Sequence, residues 1–339
     1  MNSETGKERP ILIDKFFNEY PQKVFSEILP GMRVSHVSST NQIPDWIDFP
    51  ETNRSFEGSD YYFDPSQKRF VHFTSLEKLT NILVENSIRL YDLNFMDDPN
   101  EIDFPLKECH LKIDDPQFSL ERLRMMIHSF SFCDFAMAED EEYNMWRLYG
   151  QDGYGVEIQF SFLNTPTMWE NFHLSEIYYK DKPKLLKIRK SVQNHFAFID
   201  ELKSFNYHGD NHGLWILNGI LSLLAFHKQG IFRNEKEYRL IYHFKGKSNK
   251  EKGNLSRIRT MNKIKALSFY IKLPISKFNG IATSNKIPLI KIEKVVLGYR
   301  YSEKDRLKIQ ETLDQITAYN EIHGIAVEIT SLKEKYFNK

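Results

Sequence analysis

The chain has 339 residues with 46 basic and 46 acidic side chains, so its formal net charge is zero. That length allows two domains, or one core with a large insertion. A composition of 41% hydrophobic, 14% aromatic and 27% charged residues excludes wholesale disorder, collagen and low-complexity scaffolds, and the zero balance excludes a binder that works by coating itself uniformly in Lys and Arg.

Residues 1–66 carry little periodicity and read as a loop-rich N-terminal extension, with Trp46, Phe49 and Phe56 packing onto something else. Nothing in MNSETGKERPILIDKFF resembles a secretion signal, and Cys109 and Cys133 alone cannot make a disulfide framework, so a cytoplasmic protein is expected. From residue 67 the signal sharpens into a core. RFVHF (69–73) reads as a strand, and Thr74 opens a helix with Leu76, Leu79, Ile82 and Leu83 on one face, Thr74 and Glu77 standing at capping-box spacing. Tyr154 to Phe162 alternates as a half-buried strand. Residues 180–230 read as a helical insertion: Leu185, Ile188, Val192, Phe196 and Ile199 recur at helical spacing, and the apolar run Leu214–Phe226 is too short to cross a bilayer and suits a buried helix. Glu237 to Phe244 is a strand, further strands are expected at 267–273, 293–298 and 325–330, and a helix runs from Ser302 to Tyr319. Strands and helices mix without regular βαβ alternation, so the fold class is α+β. No G-x-G-x-x-G or G-x-x-x-x-G-K-[ST] occurs, which argues against Rossmann and P-loop chemistry.

Four groups of residues have chemical potential. His72 and Thr74, two apart on a strand, point to the same side, although a helix cap and a core histidine would look the same. Glu235, Glu237 and Arg239 would share one strand face, able to hold a ribose hydroxyl or a developing cation, or to form a solvated ion pair at a sheet edge. Trp146, Arg147 and Tyr149 precede the glycines Gly150, Gly153 and Gly155, which allow close backbone approach. Phe95 to Glu101 contains carboxylates that suit a metal or an ordinary Asp-Pro turn, and the turn is preferred. No metal is expected; His208 and His212 lie among glycines and read as loop.

The neutral total hides an asymmetry. Residues 245–265 hold eight bases (Lys245, Lys247, Lys250, Lys252, Arg257, Arg259, Lys263, Lys265) against Glu251, residues 180–190 hold six against Asp181, and residues 134–142 hold five acids and no base. The basic blocks can track the phosphates of NAD or of a nucleic acid, or be solvated loop.

Several of these pieces, in this order, resemble the bacterial domain-of-unknown-function family 2971. They are Phe73 to Leu90; Phe95 with Asp98, Pro99 and Glu101; Ser129-Phe-Ser131; Met145-Trp146 with Tyr149; Gly153 to Phe160; Glu235-x-Glu237-Tyr238-Arg239-Leu240; and Ile292 to Gly298. The resemblance spans roughly residues 69–335. His72-x-Thr74 running into a helix also resembles the opening of ADP-ribosyltransferases, including nucleic-acid-modifying toxins. This second resemblance implies a split antiparallel β core with surrounding helices and NAD as substrate. It implies that Glu237 sits at the nicotinamide ribose, with Glu235 orienting the nucleophile and His72 and Thr74 anchoring ADP-ribose or carboxamide. One of Tyr91, Phe95, Trp146 or Tyr149 would stack on nicotinamide, and Arg147 or Arg239 would bind the diphosphate. The partner would be RNA or DNA held by Lys245, Lys247, Lys250, Lys252, Arg257 and Arg259, with an antitoxin or chaperone docking the N-terminal region and no membrane. The competing readings are an NAD glycohydrolase effector and a non-catalytic nucleic-acid-binding or sensor module.

Overall fold

A computed structural model describes residues 11–40, 43–49, 53–96, 100–111, 119–205, 207, 212–244, 255–261, 267–277 and 286–332. The chain begins with helices α1 (Ile11–Asn18) and α2 (Tyr20–Phe25) and a hairpin, β1 (His36–Thr40) and β2 (Ile43–Asp48). The core follows with β3 (Arg69–Thr74), α3 (Leu76–Glu85), β4 (Ser87–Asp92), α4 (Asp103–Glu108), α5 (Leu120–Met126), β5 (Ile127–Asp134), α6 (Glu139–Leu148), β6 (Val156–Phe162) and β7 (Phe172–Glu176). Then come β8 (Tyr178–Tyr179), α7 (Lys182–Lys203), α8 (His212–Leu224), β9 (His227–Lys228), β10 (Glu237–His243), β11 (Ile258–Met261), β12 (Leu267–Pro274), β13 (Ile290–Leu297), α9 (Glu303–Tyr319) and β14 (Ala326–Ile329). This is an α+β architecture.

Ten strands form one mixed sheet in the order β11-β12-β4-β5-β3-β6-β13-β14, with β10 against β5 and β7 against β10. All pairs are antiparallel except β13 with β14. Strand β5 serves three partners. One edge pairs with β10 along its length, Glu237 opposite Cys133 through His243 opposite Ile127. The other edge is shared: β3 takes only Cys133 and Asp134, and β4 only His128 and Ser129. Between these short pairings, beside residues 130–132, the sheet is split.

Both faces of the sheet are covered. On one, Phe70, Leu90, Phe132, Ile158 and Leu240 pack with Leu79 and Leu83 of α3 and Leu313 of α9. On the other, Ile127 and Ile241 meet α1, α2, α7 and α8, while Val71, Phe73 and Val296 lie against Met145 and Trp146 of α6. Double coverage explains why β6 is not half-buried as its alternation suggests: Glu157 and Gln159 face the second layer and are buried there. Gln159 Nε2 donates to Glu157 Oε1 at 2.8 Å.

The N-terminal region is built into this second layer. Phe16 makes edge contacts with Phe198 and Trp215, Phe49 packs on Phe25, and Phe56 stacks on His173 at 4.0 Å. The hydroxyls of Tyr20 and Tyr61 bond His195 Nδ1 and His227 Nε2, each at 2.8 Å. The side chain of Trp46 lies outside the described residues. At the start of α3 the cap is Ser75, which accepts from the Lys78 amide; Thr74 is the last residue of β3. The helix at 302–319 starts as its sequence suggests, with a capping box of Ser302 and Asp305.

The acidic stretch at 134–142 starts a helix. Glu139, Asp140, Glu141 and Glu142 occupy the first turn of α6, where the helix dipole favours negative charge. Half of the six bases at 180–190 are matched by acids, Lys184 with Asp181, Lys187 with Asp60 and Lys190 with Glu27. Among the described residues no helix is long and apolar enough to cross a membrane.

Candidate functional site

Strand β10 begins at Glu237 because Lys236, at φ 43°, turns the chain out of the extended region. This corrects the expectation that Glu235, Glu237 and Arg239 form one row on a strand: Glu235 ends the 3-10 turn Gly230–Glu235. The two carboxylates nevertheless meet. Lys228, on β9, donates to Glu237 Oε2 at 2.6 Å and to Glu235 Oε2 at 3.0 Å, and lies 3.5 Å from Glu101 Oε1.

Arg239 is 0% exposed and fully engaged. Its Nε donates to Glu237 Oε1 at 2.9 Å, its Nη2 to Glu101 Oε1 at 3.0 Å, and its Nη1 to the Ala225 carbonyl at 2.8 Å and to Glu101 Oε2 at 3.3 Å. The expectation that Arg239 binds a diphosphate is therefore corrected. A guanidinium with two buried carboxylates has no donor left for a ligand. Burial works against charge on Glu237, but Arg239 and Lys228 beside it hold its carboxyl well below the usual range. Burial likewise opposes charge on Lys228, and the surrounding carboxylates, Glu237 first, outweigh it and raise the ammonium above the ordinary lysine value.

On β3, His72 projects at the split in the sheet. Its Nδ1 lies 2.9 Å from the Ser131 carbonyl, which only accepts, so Nδ1 carries the proton and Nε2 is left as an acceptor. Burial pushes the imidazole down to about 4, so it is neutral at pH 7.

His72, Tyr149, Lys228, Glu235 and Glu237 line one cavity of about 270 Å³, with Met96 and Phe232. The Tyr149 hydroxyl donates to Glu235 Oε1 at 2.6 Å. Sharing His72, Met96, Ser131 and Tyr149, a cleft of about 620 Å³ continues along the split past Thr74, Arg89, Tyr91 and Phe95. Tyr91 and Phe95 stack at 4.0 Å on its wall. Ser87, Ser129 and Ser131 also line it; the Ser87 and Ser129 hydroxyls are buried without a partner among the described residues, and the Ser131 hydroxyl helps hold the Glu237 carboxylate charged. A third cavity, about 390 Å³, lies against the same Glu235 and Glu237 and is lined by Tyr179, Arg233 and Lys236.

The structure thus brings His72, Glu235, Glu237 and Tyr149 together and places Thr74, Tyr91 and Phe95 on the adjoining cleft. It separates three others. Trp146 is fully buried, edge-on to Phe73 at 5.0 Å with its Nε1 bonded to Glu142, so its ring offers no face for stacking. Arg147 is exposed on α6 and lines none of the three cavities. Arg257 is sandwiched between Phe244 and Phe269, at 4.4 and 4.0 Å, and donates to the Met125 carbonyl, which corrects its reading as a surface phosphate contact. Arg259 is exposed on β11. Lys245, Lys247, Lys250, Lys252, Lys263 and Lys265 lie outside the described residues, as do Asp97 to Pro99 and His208.

Glu101 and Lys228 join this site without a sequence signal that points to it. The D-P-x-E spacing contains Glu101, but reads as a turn. Lys228 follows an apolar helix and carries no motif at all. Cys133 lies on the cavity floor, its thiol donating to the Glu235 carbonyl; burial and the nearby carboxylates push its pKa far up.

No curated protein and no solved structure matches the chain. Residues 145–240 match the model of a family described as "Protein of unknown function (DUF2971)". Tyr149, Lys228, Glu235, Glu237 and Arg239 all fall inside that match, while His72 and Glu101 fall outside it. The match thus runs from Met145 in α6 to Leu240 in β10.

Proposed function

We propose that the split cleft takes NAD and that the chain is an ADP-ribosyltransferase with an ADP-ribosyltransferase-like core, acting as a bacterial toxin or anti-phage effector on RNA or DNA. The observation that carries this reading is the convergence of His72 and Glu237, from different strands, on one cavity beside the Tyr149 ring. Breaking the nicotinamide glycosidic bond builds positive charge on the ribose. A carboxylate kept ionised in a buried site is worth most at that moment, because the charge it meets exists only in the transition state. Glu237 supplies that carboxylate. Glu235, at the junction with the third cavity, orients the incoming nucleophile. His72 Nε2 accepts from a ribose hydroxyl or carboxamide. Of the four aromatic candidates, Tyr149, Tyr91 and Phe95 have a ring on the cleft.

A second reading is NAD hydrolysis with water as acceptor. It is favoured by the pairing of Lys184, Lys187 and Lys190 with acids and by the inward Arg257, which reduce the phosphate-tracking surface. Purified protein incubated with labelled NAD and with RNA, DNA and cell protein separates the two. Label on nucleic acid that is lost in Glu237→Gln supports the transferase; nicotinamide release without transfer supports hydrolysis. Neither label transfer nor nicotinamide release would overturn both.

A further inference from the structure

We infer that Lys228 is the positioning residue of this site: its ammonium orients the Glu237 carboxylate and keeps it charged. The inference rests on the cleft reading above, and on a geometry that a generic ion pair would not need.

An ammonium has three protons, and Lys228 has three carboxylates around it, Glu237 at 2.6 Å, Glu235 at 3.0 Å and Glu101 at 3.5 Å. These come from two pieces of chain, Glu235 and Glu237 from the junction of the turn with β10 and Glu101 from the loop before α4. Among the described residues only Lys228 reaches all three. Arg239 neutralises Glu101 and Glu237 from one side but makes no bond to Glu235. Removing Lys228 would leave three carboxylates facing one cation in a site where Glu237 is almost fully buried. The least costly response is for a carboxyl to take up a proton or swing away.

The other groups facing the ammonium cannot replace it. The Tyr149 hydroxyl is engaged with Glu235, the Tyr179 hydroxyl accepts from the Glu237 amide, and the Cys133 thiol is held neutral. The Phe232 ring lies 5.6 Å from Nζ. The backbone carrying Lys228 is also fixed: its carbonyl accepts from the Lys180 amide at 2.9 Å, and its neighbour His227 is bonded to Tyr61. A rigid anchor for a flexible side chain is what a positioning role requires.

The test follows the Glu237 carboxyl by carbon NMR in protein labelled at glutamate, its signal assigned with Glu237→Gln. Lys228→Met is expected to raise the pH at which Glu237 protonates by about 1 unit or more. Lys228→Arg, which keeps the charge, is expected to restore most of the wild-type titration. If nicotinamide release is observed, its acidic limb should move upward in the methionine variant by the same interval and return with arginine. Unmodified protein gives a second measurement that does not depend on a variant folding: the Lys228 ammonium should stay protonated above the ordinary lysine pKa of 10.5. A Glu237 titration that ignores Lys228→Met, or a Lys228 that titrates at or below the ordinary value, overturns the inference. A shifted Glu237 in a protein that never releases nicotinamide leaves the positioning role standing and removes the transferase reading. Nicotinamide release with an unshifted Glu237 does the reverse.

Discussion

The hydroxyl of Tyr149 donates to Glu235 Oε1 at 2.6 Å and joins the end of α6 to the turn before β10, across the cavity that holds His72 and Glu237. Tyr149 is 45% exposed, so the bond stands between the carboxylates and solvent. Tyr149→Phe removes this bond and keeps the ring. A stability loss of about 0.5–1.5 kcal/mol by urea unfolding is expected, with NAD affinity by calorimetry little changed. Tyr149→Ala removes the ring as well and should weaken NAD binding at least about tenfold, near 1.4 kcal/mol. Equal affinities for the two variants would dismiss Tyr149 as the stacking ring.

Glu101 and Arg239 form the most deeply buried ion pair at the site, bonded twice, at 3.0 and 3.3 Å. Cutting one partner strands the other in the interior, so Arg239→Met should cost about 3–5 kcal/mol. The exposed Arg259 is the control: Arg259→Ala should stay within about 0.5 kcal/mol. Equal unfolding midpoints for the two variants would show that the pair contributes no more than a surface residue.

The pH dependence has two opposed parts. Burial pushes His72 down to about 4 and His128 and His227 down to about 3, below the ordinary 6.5. The fold favours their neutral forms, so the stability they contribute is present above pH 6.5 and lost as the pH falls toward those values. Glu157 runs the other way. Burial raises its carboxyl from 4.5 to about 7, partly offset by Gln159, so its contribution is complete below pH 4.5 and lost as the pH rises toward 7. Glu157→Gln should therefore stabilise the protein at pH 8 by at most about 3 kcal/mol, with the gain vanishing near pH 4.5. Urea titrations at the two pH values decide it; an identical gain at both would place Glu157 in contact with water.

Phe16 ties the N-terminal helices to α7 and α8 through edge contacts with Phe198, Tyr207 and Trp215. Phe16→Ala should cost about 3–5 kcal/mol, and removal of residues 1–66 should leave a chain that aggregates, since α7 and α8 then present an uncovered apolar face. A soluble, cooperatively melting truncation would show that the helical layer holds together without them.

Local signals carried much of the fold. The alternation of Val156, Ile158, Phe160 and Phe162 marked β6, and Ser302 with Asp305 marked the start of α9, because pleat and cap are decided within a few residues. The site was half legible. His72 and Glu237 stand in motifs, and their convergence follows from the strands they occupy. The alternation places Glu235 on the strand, because it looks the same whether or not Lys236 turns left-handed. Arg239 reads as a ligand-binding cation until Glu101, 138 residues earlier in the chain, is seen to occupy it. Lys228 has no local motif: Glu235 and Glu237 follow it within nine residues, but the turn between folds them back onto it and Glu101 joins from far earlier in the chain. The hairpin at 36–48 has little local signal because its apolar residues find their complement on other elements, α1 before it and α8 far after it.

The wide sequence separation of these contacts also orders events in time. Tyr61 reaches His227 across 166 residues, and Glu101 reaches Arg239 across 138. During synthesis the strand with His72 and the aromatic wall of the cleft leave the ribosome long before Lys228, Glu237 and Arg239 exist. Non-local contacts of this kind form late, after loop closure has been accomplished. A nascent chain thus carries the cleft and Glu101 but neither of the buried cations that Glu101 meets. The charged site is complete only once Arg239, in a chain of 339 residues, has been made.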